Sequence, residues 1–373
     1  MTYTIVALGG DGIGPEVLDE AVKVLRAVEE ATPGLSLDLR AYPASAALHS
    51  RTGEALPAET FEAARSAHAI LLGAMGLPDV RMPDGTEVQG RGIIRLRKGL
   101  DLYAGVRPIK RYPGVLVFID RGPVDLVIVR ENSEGLFASF DGGAEITDHV
   151  VGDTLLMSRR GTERITRAAF TLARGRSGRP LDGRARVTCV DKANIFRSLA
   201  FFRRVFTEVA GTEFPGVEHD YALIDALSLA VLQDPGRYDV LVTENMFGDI
   251  LSDLATALCG GLGMAPSGDV GDAHAMFQPS HGSAPTLAGL GVANPVATIL
   301  SARMMLDWLG TRHADPAALE GVALIDRAVG EALDRGVLTA DLGGTATTAQ
   351  MGDAVAEAVA RIAGGGAVIR GMG

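Results

Sequence analysis

Residues 3–16, YTIVALGGDGIGPE, run a β-rich apolar segment straight into a turn that holds four glycines. Tyr3 to Leu8 reads as a strand. Pro15 suits the first turn of a helix, where its missing N–H costs nothing, and the helix is predicted from Pro15 to about Ala31. A strand, a glycine turn and a helix open many nucleotide-binding α/β folds, and the glycine spacing decides between them. Counted from Gly10 and Gly12, the dinucleotide fingerprint GxGxxG needs glycine at position 15, where Pro15 stands. The stretch is therefore read as a tight strand-to-helix turn, and the usual dinucleotide-binding fold is set aside.

Outward from this turn, apolar strands alternate with helical periods. Leu35 to Tyr42, AILLGA (69–74), VDLVIVRE (124–131), ARVTCV (185–190), EHDYALI (218–224) and YDVLVTE (238–244) read as strands. Helices are predicted from Glu59 and near Glu163, Asn194, Asp225 and Phe247, then from about Asn294, Pro316 and Thr347 after a glycine-rich region that follows Gly260. The alternation predicts an α/β fold with a largely parallel sheet. Glu134 to Met157 breaks it: FASF (137–140) and EITDHVV (145–151) look extended, lack a helix of their own and predict a hairpin arm. No linker rich in Pro or Ser divides the chain, so a domain boundary must be crossed by continuous structure.

The 373 residues suffice for two domains or two lobes of one fold. A net charge of −11 argues against nucleic acid or an anionic membrane as partner, so an acidic ligand has to be met locally. Cys189 and Cys259 are too few for a disulfide framework and read as buried thiols in a reducing interior. With no basic leader before the first strand and no apolar run of spanning length, the expectation is a soluble cytoplasmic protein.

TENMFGDILSDLA (243–255) carries the strongest chemical signal. Met246, Phe247, Ile250, Leu251 and Leu254 form one face of a helix, while Asp249 and Asp253 stand four residues apart beside it. At that spacing the two carboxylates repel one another. A hard divalent cation, Mg²⁺ or Mn²⁺, would account for the pair, with Asp225 as a third oxygen ligand. The competing reading has Asp249 capping the helix and Asp253 solvated or salt-bridged. Arg97, Arg107 and Arg130 are read as bidentate clamps for carboxylates, although each taken singly reads as a surface ion pair. Lys192, at the end of a buried strand, is either a base of lowered pKa or a lysine snorkelling outward. HGSAPTLAGLGVANP (281–295) sets small residues around His281, Ser283 and Asn294, which lets backbone approach a flat ligand or serves structure alone.

Together these segments resemble the β-decarboxylating dehydrogenases, the family of isocitrate, isopropylmalate, homoisocitrate and tartrate or D-malate dehydrogenases. GGDGIGPEV, LDLYAGVRP, VIVRENSEGLF, VDKANIF, VTENMFGDILSDLA, GGLGMAPSG, HGSAPTLAGLGVANP and DLGGTATT carry the resemblance in family order over nearly the whole chain. It implies an isopropylmalate/isocitrate dehydrogenase-like two-domain α/β fold, with residues 1–103 and 256–373 in a large cofactor-side domain. Residues 104–255 would form a small dimerisation domain whose arm, 134–157, joins a twofold partner. The resemblance further implies that Arg97, Arg107 and Arg130 grip the substrate carboxylates and that Asp249 and Asp253 meet Mg²⁺ or Mn²⁺. Lys192, the base, and Asp225, a metal ligand, would come from the other subunit of a homodimer. His281, Gly282, Ser283, Ala284, Pro285, Thr286, Asn294 and Asp341 would bind the nicotinamide cofactor. The implied reaction oxidises a malate-like 2-hydroxy acid at C2 and releases carbon dioxide.

The chain departs from the family pattern in three places. Phe137 stands where the family usually has a tyrosine thought to protonate the enol carbon after decarboxylation, and it has no proton to give. Thr286 and Leu287 stand where NAD enzymes resemble HGSAPDIAGKG, with one aspartate for the adenosine ribose hydroxyls, and where NADP enzymes place a Lys-Tyr pair, with Leu290 in place of a lysine; a neutral threonine cannot balance a 2′-phosphate, so NAD is expected, with NADP not excluded. Gln278 and Ser280 replace a common Glu and Val. In GRGIIRLR (90–97), Ile93 and Ile94 occupy the leucine pair of the isopropylmalate enzymes and favour a C3-alkyl malate such as 3-isopropylmalate, while Arg91 and Arg95 keep an anionic substituent open. The alternatives are a D-malate, tartrate or homoisocitrate type of substrate, a specialised-pathway substrate, and a noncatalytic regulatory subunit.

Overall fold

The computed structural model describes residues 1–140, 142–146 and 149–370. Ten strands make one sheet, taken here in chain order: β1 (Thr2–Gly10), β2 (Ser36–Tyr42), β3 (Ala69–Ala74), β4 (Ala104–Lys110) and β5 (Asp125–Glu131). After the short strands β6 (Ala144–Ile146) and β7 (Val150–Gly152) come β8 (Arg186–Asp191), β9 (Glu218–Leu223), β10 (Val240–Thr243), β11 (Pro266–Val270) and β12 (Ala275–Pro279). The helices are α1 (Gly14–Ala31), α2 (Ala46–Thr52), α3 (Ala58–Ser66), α4 (Gln89–Gly99), α5 (Arg159–Gly175) and α6 (Arg197–Glu213). They continue as α7 (Ile224–Gln233), α8 (Asn245–Ala255), α9 (Val296–His313), α10 (Pro316–Asp334) and α11 (Thr348–Arg370).

The strand order is β2-β1-β3-β12-β11-β4-β5-β10-β8-β9. Pairing is parallel through β2-β1-β3-β12 and again through β5-β10-β8-β9. Between these two wings β12, β11, β4 and β5 pair antiparallel. The wings therefore run in opposite directions, and an antiparallel seam joins them. Across the seam one row of the sheet reads Asp269, Gly105, Arg130. A side chain at Gly105 would come within 2.7 Å of Asn132 Oδ1, so glycine there lets the Asn132 amide reach across the sheet.

Burial on both faces explains why the parallel strands are so apolar. All six residues of β3 and all four of β10 are buried. One core packs Tyr3, Ile5, Leu25, Val28, Ile325, Val329 and Val355 between β1 and helices α1, α10 and α11. On the other wing Phe170, Phe202 and Phe206 cover Val187, Val240 and Val242, and Phe170 stacks on Phe214 at 4.9 Å. Both cysteines are buried and free, and no helix of the described residues is long and apolar enough to cross a membrane.

The α/β alternation is present as read, with local differences. Helix α5 starts at Arg159, four residues before Glu163, because Ser158 caps it by accepting from Gly161 N at 2.9 Å. Helix α6 starts at Arg197 and not at Asn194, since Lys192 O first accepts from Ile195 N and Phe196 N in a turn. FASF is not extended but forms most of a 3₁₀ turn, Leu136–Ser139. In the predicted arm β6 and β7 pair antiparallel, apart from the main sheet, and a bridge between Gly135 and Leu156 closes its root. Asp141, Thr147 and Asp148 of that segment lie outside the described residues. The hairpin β11–β12 and the strand β4 were not anticipated, because short runs holding Gly, Pro, Ser and Asp carry no strand period.

Helix α8 lies on β5 at Gly248, where a β-carbon would meet Arg130 Cβ at 2.7 Å and Cγ at 2.8 Å. Gly248→Ala is expected to destabilise the fold by about 1–3 kcal/mol through overpacking, read from urea midpoints at unchanged m-value. An unchanged midpoint would refute this close approach.

Candidate active site at the strand seam

Helix α8 begins with Glu244, whose buried carboxylate accepts from Met246 N at 3.1 Å and Phe247 N at 2.7 Å. That cap excludes the reading in which Asp249 caps the helix. Asp249 and Asp253 instead turn toward two arginines from the neighbouring strands. Arg130, at the end of β5, binds Asn245 Oδ1 through Nε at 3.0 Å and Nη2 at 2.6 Å, and its Nη1 donates to Asp249. Arg107, on β4, lies 3.7 Å from Asp249, 4.0 Å from Asp253 and 3.3 Å from Ser252 Oγ. Within one chain, then, the positive groups facing the aspartate pair are guanidiniums.

These arginines are not surface ion pairs: Arg97, Arg107 and Arg130 are 8, 6 and 1 % exposed. Burial pulls Arg130 down to about 9, opposed by Asp249, and it lowers Arg107 as well. Arg97, from α4, donates through Nε to Asp269 Oδ2 at 3.0 Å. Asp269 is fully buried and also accepts from Asn132 Nδ2 at 2.7 Å and Gln278 Nε2 at 2.9 Å. Burial also raises the Asp253 carboxyl above its ordinary value, repulsion from Asp249 adds to it, and the two arginines only partly offset the rise.

A cleft of 380 Å³ opens between these groups. Arg97, Arg107, Arg130, Asp249 and Asp253 line its polar side, Ile93, Ile94, Met75, Phe137 and Phe140 its apolar side, and Gln278, Ser280, His281 and Gly282 its rim. The Phe137 ring lies 5.1 Å from the Arg130 guanidinium, so the residue expected to be a tyrosine packs on a buried arginine. Arg91 and Arg95 do not line this cleft. Arg91 sits over Phe140 and Arg95 over Phe61, where Arg95 also donates to Leu56 O at 3.2 Å.

Lys192 and Asp225 form their own ion pair at 2.7 Å, which holds the Asp225 carboxyl below its ordinary value, and neither lines the cleft. Among the described residues no three His, Cys, Asp or Glu side chains converge on one point. Within one chain, then, Asp249 and Asp253 could offer a cation no more than two carboxylates. Asp249 and Asp253, 44 and 55 % exposed and one helical turn apart, suit Mg²⁺ or Mn²⁺ that completes its shell with oxygens from elsewhere.

The turn 9–16 is structural, as read. Asp11 accepts from Ala46 N, Ala47 N and Gly76 N within 2.9 Å, tying three loops together. Gly12, at φ +58°, lies against Ser283 O, which accepts from Ile13 N at 2.8 Å. Ser283 Oγ is itself bound to Gly76 O. This buttress holds Ala284 in the left-handed region at φ +38° and leaves Gly282, Pro285 and Thr286 exposed. Asn294 Nδ2 donates to Asp341 Oδ2 at 3.0 Å, which joins the loop to the late glycine motif. His281 Nδ1 donates to Gly282 O at 2.8 Å, and its Nε2 is buried without a partner among the described residues. Burial lowers its pKa and favours the neutral imidazole. An open loop beside an unpaired ring nitrogen fits a nucleotide cofactor.

Sequence reading missed Glu244, Asn132, Asn245, Phe140 and Asp269. A signal existed for two of them: Glu244 directly precedes a helical period, and Asp269 is an acid inside a strand, where acids are depleted.

The family profile described as isocitrate/isopropylmalate dehydrogenase matches residues 4–355. The chain is 41 % identical over 358 residues to the 3-isopropylmalate/3-methylmalate dehydrogenase of Methanocaldococcus jannaschii, covering 96 % of this chain and 99 % of the relative. It is 43 % identical over 361 residues to the isocitrate/homoisocitrate dehydrogenase of Thermus thermophilus, with the same coverage. The crystal structure of isocitrate dehydrogenase from Methylococcus capsulatus superposes with a TM-score of 0.85 at 35 % identity, covering 96 % of this chain and 99 % of that one. The matching family profile, relatives and fold lead to one conclusion: the chain belongs to the isocitrate/isopropylmalate dehydrogenase family and is an oxidoreductase, a decarboxylating dehydrogenase.

Proposed function

We propose that this chain catalyses the oxidative decarboxylation of a C3-alkyl malate of the 3-isopropylmalate type, with NAD and Mg²⁺ or Mn²⁺, as a homodimer with shared active sites. The observation that carries the reading is the cleft itself: three buried arginines and two carboxylates face Ile93 and Ile94, while Arg91 and Arg95 are held outside. Two carboxylates of a malate core need two or three cations, and an apolar wall suits an alkyl substituent. The M. jannaschii relative's name points the same way.

In this reading Arg97, Arg107 and Arg130 bind and orient the substrate carboxylates. Asp249 and Asp253, which face Arg107 and Arg130 within the chain, would hold the cation together with Asp225 from the partner subunit. When bound, the cation supplies Lewis-acid stabilisation of charge on oxygen and the nicotinamide supplies the hydride acceptor. Lys192 from the partner subunit, or a water that it orients, takes the proton from the C2 hydroxyl. His281, Gly282, Ser283, Ala284, Pro285, Thr286, Asn294 and Asp341 place the cofactor, and the neutral Thr286 favours NAD over NADP. Phe137 cannot return a proton to C3, so that proton comes from water or another acid. Residues 1–103 with 256–373 would form the cofactor-side lobe, and residues 104–255 the dimerisation lobe that carries arm 134–157. The setting would be a reducing cytoplasm, which suits two free thiols.

The T. thermophilus relative's name supports a second reading, a tricarboxylic substrate, in which Arg91 or Arg95 would have to turn into the cleft. A panel of malates with both nicotinamides separates the two. We expect reduction of NAD with release of carbon dioxide on an alkyl malate, activity lost to a chelator and restored by Mg²⁺ or Mn²⁺. Silence on the whole panel, or activity indifferent to the chelator, would refute the reading. Asp249→Asn is expected to lower kcat/KM by about 100-fold or more and to raise the Mn²⁺ concentration needed for half activity. A variant within twofold of the parent would place the cation elsewhere. Phe137→Tyr should raise kcat on a substrate that loses carbon dioxide, read as NADH formed per second; a fall or no change would show that the proton comes efficiently from another source.

A further inference from the structure

Three guanidiniums buried around one cleft need a counter-charge that is not itself committed to a ligand. Asp249 and Asp253 do not meet that condition, because both are half-exposed and are the residues a divalent cation would take. Asp269 does. It is fully buried, does not line the cleft, and accepts from Arg97 Nε, Asn132 Nδ2 and Gln278 Nε2. Engagement through Nε leaves the rest of the Arg97 guanidinium for the cleft that this residue lines.

The partner on the next strand makes the position informative. In the β11–β12 register Asp269 stands opposite Met276, and Gln278 stands opposite Ser267. Asp269 and Gln278 are therefore diagonal neighbours on one face of the sheet, joined by a 2.9 Å hydrogen bond. A carboxylate on β11 with an amide on β12 carries the same total charge as an amide on β11 with a carboxylate on β12, and either arrangement can keep a hydrogen bond between the two.

We propose that Asp269 is the positioning residue for Arg97, supplying from β11 the buried negative charge that holds its guanidinium at the cleft, and that the same charge would serve from the diagonal Gln278 position on β12. The inference rests on the carboxylate-clamp role of Arg97 given above. Three variants test it by steady-state kinetics on the best 2-hydroxy acid of the malate panel, alongside thermal midpoints: Asp269→Asn, Asp269→Asn with Gln278→Glu, and Arg97→Lys. Loss of the anion frees Arg97 and should raise KM for the acid by about 10-fold or more, with kcat changed less than about threefold and KM for the cofactor unchanged. The double variant should return KM for the acid to within about threefold of the parent. A general loss of packing would not show this split, nor be mended by moving the charge to Gln278. Asp269→Asn with an unaltered KM, or a double variant no better than the single, would overturn the proposal. Should Asp269→Asn fail to fold, a folded and active double variant supports the proposal and an unfolded one overturns it. Arg97→Lys distinguishes the two levels: a raised KM there with Asp269→Asn silent refutes Asp269 alone, whereas no effect in either refutes the clamp and the inference together.

Discussion

The constraint on which the centre of this molecule depends is the cost of burying Arg97, Arg107 and Arg130 within one small volume. Taking a single ion out of water costs several kcal/mol in a real protein, and like charges side by side add to it. The chain meets that cost with carboxylates of two kinds. Asp269 is enclosed and permanently engaged, while Asp249 and Asp253 face the cleft and can exchange partners. In the proposed reading, an anionic substrate that takes over the arginines would release the aspartates for a cation.

The backbone is arranged to permit this. The antiparallel seam brings β4, β5 and β11 side by side, which puts Arg107, Arg130 and Asp269 within one short span of sheet. Two glycines provide the close approaches. Gly105 opens the way for Asn132 to reach Asp269, and Gly248 lets α8 settle on the aliphatic stem of Arg130. The N-cap by Glu244 completes the arrangement, since it satisfies the first amides of α8 and leaves Asp249 to the cleft. At the other rim, Asp11 and Gly12 brace the loop that begins at His281.

Much of this was legible in the residues, though unevenly. The α/β alternation stood out because strands buried on both faces are uninterrupted apolar runs. Failure of the glycine fingerprint at Pro15 correctly separated the fold from the usual dinucleotide-binding one. The three arginines and the aspartate pair were found through charge next to apolar strands and through a four-residue step. That they face one another directly was not legible, because the contacts join residues up to about 170 positions apart and depend on a seam whose strands carry no period. Asp269 escaped notice for the same reason: its three donors come from α4, β12 and the residue just after β5. The placement of Arg91 over Phe140 and of Arg95 over Phe61 was not legible, since spacing alone could not tell the outer face of α4 from the cleft face.

The chain leaves Lys192 and Asp225 as a separate pair, away from the residues that line the cleft, and the proposed centre is complete only when a second copy brings that pair to it. The most direct measurement mixes two inactive variants, Lys192→Ala and Asp249→Asn, after dissociation and reassociation. If each active site draws on both chains, half of the dimers are mixed and one site in each is intact, which predicts recovery to about one quarter of parental activity. A mixture no more active than the separate variants would contradict the shared centre.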